Sequence, residues 1–100
     1  MSIEDWRSEI DSIDEELLRL LNTRARLALK VGALKREALL PLCDKDRERD
    51  IIRKVCLANP GPLDKRAVTR LFRRIIFECR RVETCHTKTG TVPSMQEVIR

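Results

Sequence analysis

The chain has 100 residues, 42% of them hydrophobic and 37% charged, with a formal charge of +5. That length holds one modest core rather than two, and no apolar run approaches the roughly 18 residues needed to span a bilayer. The positive balance favours anionic partners, but only Trp6, Phe72 and Phe77 are aromatic and acidic groups interleave with basic ones throughout, which argues against a nucleic-acid-binding protein.

Glycine and proline are nearly absent before Pro60, and β-branched runs are few, so the expected class is all-α with three helices. Ser2, with Asp5 three residues on, reads as an N-cap pair, and the helix it opens meets no breaker until Pro41. Alternate steps of four and three from Trp6 reach Ile10, Ile13, Leu17, Leu20, Arg24, Leu27, Val31, Leu34 and Ala38, an apolar seam that only Arg24 interrupts. A helix of about 36 residues is roughly 54 Å long, more than one small chain can cover. The expectation is therefore a homodimer in which two such helices pack against each other, most simply as a two-fold antiparallel pair.

The segment CDKDRERD, residues 43–50, follows. Asp44 is the cap candidate for a second helix that runs to about Ala58, where Asn59-Pro60-Gly61-Pro62 stops it. Asp44, Arg47 and Glu48 share a stripe with Ile51 and Val55, whereas Lys45, Arg49 and Arg53 fall on other faces. Asp64 caps the third helix, with Leu63 and Val68 placed as a hydrophobic staple and Gly90 near its end. Along it Phe72, Ile76, Cys79 and Glu83 form one stripe that closes on a carboxyl group. Residues 1–90 read as one helical domain and 91–100 as a tail or the start of a linker.

Charges on core-facing stripes cost several kcal/mol each unless something pairs them. Arg24 and Lys35, eleven residues apart, differ by only about 20° around the first helix and by about 16 Å along it. Each polar group has an ordinary explanation alone: Arg24 as a register device, Asp44 as a cap, Glu48 as a partner for Arg47 or Lys45. Their coincidence on three helices points to one polar pocket inside a helical bundle. Arg7 lies about 42 Å along the helix from Lys35, so the two could reach one small molecule only from different chains of an antiparallel pair. By position alone Arg7 is a solvated neighbour of Trp6, itself read as a core anchor. His86 is read as a solvated group near a helix end, and Cys56 and Cys85 as small apolar fillers. Cys43, Cys56, Cys79 and Cys85 lack metal-site spacing, so the expectation is reduced thiols in a cytoplasmic protein, with no metal and no cofactor.

The stretches WRSEIDSIDEELLRLLNTRARLALKVGALK, DKDRERDII and LFRRIIFECRRVE, in that order, resemble the all-helical AroQ type of chorismate mutase over roughly residues 3–86. The resemblance implies an intertwined dimer of three-helix chains with two active sites, each completed by an arginine from the other chain. It also raises the expectation of an N-terminal domain of a bifunctional shikimate-pathway enzyme. Carried over, Arg7 is the donated arginine and Arg24 the in-chain carboxylate clamp, while Lys35 faces the substrate's ether oxygen. Asp44, Arg47 and Glu48 match a D-x2-R-E group with Glu48 on the ring hydroxyl. Cys79 falls where relatives often carry a small polar residue, and Glu83 where many bacterial members have glutamine. An intramolecular Claisen rearrangement of chorismate to prephenate needs no nucleophile, metal or proton shuttle, only a held conformer and charge stabilisation. Glu83 can serve the ether oxygen only as a protonated donor. Burial raises its pKa and Lys35 lowers it, and the sequence does not decide between them; a protonated Glu83 implies turnover that falls as pH rises through neutrality. An isochorismate-pyruvate lyase of the same fold is the alternative reading.

Overall fold

In the computed structural model, which describes residues 1–89 and side chains through residue 84, three helices follow one another: α1 (Ile3–Glu37), α2 (Lys45–Ala58) and α3 (Lys65–Thr89). Each starts at a residue whose side chain satisfies an otherwise unpaired backbone N–H, worth about 1 kcal/mol per cap. Ser2 and Asp5 form a reciprocal capping box, Ser2 N donating to Asp5 Oδ2 at 2.9 Å and Asp5 N to Ser2 Oγ at 3.2 Å. Asp44 accepts from Arg47 N at 3.0 Å, and Asp64 accepts from Ala67 N at 2.8 Å.

α1 ends earlier than Pro41. Leu40 N donates to Lys35 O at 2.8 Å while Leu39 takes φ 59°, the left-handed turn that closes a Schellman-type helix end. That place usually holds glycine, and a leucine there costs roughly 1–2 kcal/mol. No glycine marks the stop, so the sequence reading let the helix run on. Between α2 and α3 the chain folds back over Asn59, whose side chain accepts from Gly61 N at 3.1 Å and donates to Leu63 O at 2.6 Å.

α3 packs against both other helices, and among the described residues the backbones of α1 and α2 do not approach each other closely. Among the described residues the buried side chains, Val68, Ile76, Cys79 and Glu83, all belong to α3; α1 contributes only Gly32 and α2 nothing. The molecule is accordingly elongated, 54 × 34 × 16 Å, with a radius of gyration of 16.5 Å against about 13 Å for a compact chain of this length. The seam of α1 stays uncovered: Trp6, Ile10, Ile13, Leu17, Leu20, Leu27, Val31 and Leu34 are between 49% and 65% exposed. Trp6 is thus no anchor of this chain's own core, and residues 1–20 are exposed throughout. Among the described residues no helix is long and apolar enough to cross a membrane. The side chains of Cys85 and His86, Gly90 and the 91–100 tail lie outside the described residues.

Candidate active site

The second half of α1, the start of α2 and the second half of α3 meet around one cavity of about 310 Å³. Helical spacing brings Arg24, Leu27, Ala28, Val31 and Lys35 of α1 to its wall in a single line. Asp44, Arg47, Glu48 and Ile51 enter from α2 and its cap, Ile76, Cys79, Arg80 and Glu83 from α3, and Leu42 from the connection. The volume falls in the range of about 300–1,000 Å³ usual for small-molecule pockets.

Seven of the eight candidate residues read from the sequence line this cavity: Arg24, Lys35, Asp44, Arg47, Glu48, Cys79 and Glu83. Arg7 does not. It sits exposed near the opposite end of α1, its Nη1 donating to Glu4 Oε1 at 3.1 Å. Cys79 and Glu83 are buried, and Arg24, Lys35 and Glu48 are half-buried. Asp44 and Arg47 share the stripe of Ile51 but stay exposed, because the first turn of α2 forms the rim of the cavity rather than its floor.

The charges divide into two sets. Arg24, Lys35 and Arg47 form no ion pair among the described residues; Lys35 Nζ instead donates to the Leu42 carbonyl at 3.4 Å. The left-handed turn at Leu39 leads the chain round to that carbonyl, so the lysine meets a neutral acceptor there. Glu48, by contrast, is engaged. Its partner is neither Arg47 nor Lys45 but Arg80 of α3, whose Nη2 donates to Glu48 Oε2.

Glu83 closes the inner end. Burial pushes its carboxyl above the ordinary glutamate range, against the opposing pull of Lys35, Arg80, Arg36 and Arg24. The competition left open by the sequence is therefore won by desolvation. Room for this carboxyl comes from Gly32: a Cβ there would lie 2.9 Å from Glu83 Oε2. Gly32 and Arg80 were both missed in the sequence. Their signals were a lone glycine inside a 35-residue helix, one turn before Lys35, and an arginine four residues after Ile76 and three before Glu83.

The cavity thus offers three cations that form no ion pair among the described residues, an apolar wall and a buried carboxyl whose pKa is raised by burial. Among the lining residues there is no serine or histidine to form a nucleophile and base pair. Such a site can bind and orient a multiply charged anion and stabilise negative charge that develops within it.

Known proteins are similar to this chain in sequence and in fold. The bifunctional chorismate mutase/prephenate dehydratase of Aquifex aeolicus is 41% identical over 85 residues, covering 81% of this chain and 24% of the relative. That of Neisseria gonorrhoeae is 43% identical over 77 residues, covering 77% and 21%. The chain thus spans about a quarter of the length of the curated relatives it matches. The solved structure of chorismate mutase (Form II) from Thermus thermophilus superposes with a TM-score of 0.81 at 34% identity, covering 82% of this chain and 93% of that one. These matches favour the mutase over the lyase. The family model for chorismate mutase type II matches residues 6–84, a span that takes in most of each helix and every residue of the cavity, and the chain belongs to that family.

Proposed function

We propose that this chain is a chorismate mutase, an isomerase that converts chorismate to prephenate in aromatic amino acid biosynthesis. The observation that carries the reading is the set of cations Arg24, Lys35 and Arg47, without an ion pair among the described residues, facing one largely apolar cavity together with Glu48 and Glu83. In the rearrangement the ether C–O bond breaks as a new C–C bond forms, with no net proton transfer. The protein's part is to hold the two reacting ends together and to stabilise charge on the ether oxygen. Arg24 clamps one substrate carboxylate through the paired donors of its guanidinium. Lys35 donates to the ether oxygen, and protonated Glu83 donates from the other side. Glu48 accepts from the ring hydroxyl, while Asp44, Arg47 and Cys79 complete the lining.

The second carboxylate falls to Arg7 of another copy. The supporting observation is the uncovered seam of α1, whose apolar residues run the length of a helix that one chain leaves half bare. Antiparallel packing of two such seams brings the N-terminal part of one α1 beside the C-terminal part of the other, making an intertwined homodimer with two sites. The proposed catalytic domain is residues 1–90, with 91–100 a tail or the start of a linker, acting in the cytoplasm. Neither metal nor cofactor enters the chemistry.

The test is loss of chorismate absorbance on adding the purified chain, repeated with Lys35→Ala. Removing one preorganised donor lowers kcat about a hundredfold to a thousandfold. A wild-type chain that leaves chorismate unchanged, or a Lys35→Ala variant as fast as wild type, refutes the assignment.

A further inference from the structure

The ion pair between Arg80 and Glu48 differs in kind from the chain's helix-surface pairs. Arg19 with Glu16, Arg49 with Asp46 and Arg53 with Asp50 each join residues one turn apart on a solvated helix face, where such contacts contribute little. Arg80 and Glu48 are 32 positions apart, lie on different helices, are each about two-thirds buried, and both line the cavity. Burial of a charge is costly unless a partner of opposite charge meets it, and these two residues meet each other. α2 has no buried residue and is held in place through α3, so the orientation of Glu48 depends on what it meets on α3.

We propose that Arg80 is a positioning residue for Glu48: it occupies Oε2 and thereby aims Oε1 into the cavity as the acceptor for the substrate's ring hydroxyl. The proposal rests on the mutase reading above and assigns Arg80 no contact with substrate. The division of charges supports that restriction. Arg24, Lys35 and Arg47 form no ion pair among the described residues, whereas the guanidinium of Arg80 is held by Glu48. A carboxylate with one oxygen fixed by a charge-assisted bond has lost a rotational freedom that a free glutamate on an exposed first turn would keep. Orientation of the hydroxyl, and with it recognition of where the ring carries that group, then depends on a residue that never meets it.

A double-mutant cycle on the full chain with chorismate tests this. Arg80→Met, which keeps the length and loses the charge, is expected to lower kcat/KM about tenfold to a hundredfold, mainly through KM, as a misplaced contact does. Arg80→Lys is expected to recover most of the loss. In a Glu48→Gln background, adding Arg80→Met is expected to change kcat/KM by less than about threefold, because there is no carboxylate left to position. An equal loss in both backgrounds overturns the proposal in favour of direct substrate contact or general destabilisation; no loss in either overturns it outright. Helical circular dichroism establishes that each variant is folded, and Arg80→Gln carries the same cycle if Arg80→Met is not. A wild-type chain without mutase activity is a separate result, which removes the functional reading and this one with it.

Discussion

Glu83 shows how much one side chain's surroundings decide. Its neighbours on α1 are Lys35, Arg36 and Arg24, and on α3 Arg80, and all four favour the ionised form, yet burial prevails and the pKa lies above the ordinary glutamate range. The folded chain therefore holds this proton more tightly than the unfolded chain. From this group, stability is fully present below the ordinary carboxylate range and falls as pH rises from there through the raised value. The protonated donor disappears over the same interval. We expect kcat to decline as pH rises through that window and Glu83→Gln, a permanent donor, to flatten the profile; a wild-type kcat that is level across pH 5–8 would count against a protonated Glu83. Legibility at this scale was uneven. The inward placement of Arg24, Lys35, Glu48, Cys79 and Glu83 followed from helical spacing, which sets direction. Glu48's partner did not, because Arg80 lies 32 positions away and spacing within one helix says nothing about a neighbour across the groove.

At the level of the helix, Gly32 separates two effects that usually travel together. It is the residue of α1 on which Glu83 closes, and glycine inside a helix costs about 1 kcal/mol relative to alanine. A methyl group added there meets the flexible end of the Glu83 side chain, which can move at little cost. Gly32→Ala is therefore expected to leave the melting temperature unchanged or higher while lowering kcat/KM about tenfold or more, since the carboxyl must leave its place. Thermal melts beside steady-state kinetics check both directions; a variant that is less stable yet fully active contradicts the placement of Glu83. The beginnings of the helices were plain in the sequence because Ser2, Asp44 and Asp64 are side chains whose chemistry is capping. The end of α1 was not, because Leu39 adopts a backbone state that nothing in its side chain announces.

For the molecule as a whole, the stripe patterns foretold an all-helical chain with more apolar surface than it can bury. Among the described residues, side chains of α3 supply the buried interior while the seam of α1 stays open. Arg7 and Lys35 ride on the same rigid helix about 42 Å apart. If each cavity draws its lysine from one copy and its second arginine from the other, two crippled proteins should heal one another. Arg7→Ala and Lys35→Ala chains, each nearly inactive alone, would on mixing and reassociation give hybrid pairs with one wholly wild-type cavity and one doubly damaged cavity. Random pairing makes half the assemblies hybrid, so about a quarter of wild-type turnover should return, and none should return if every cavity is furnished by a single chain.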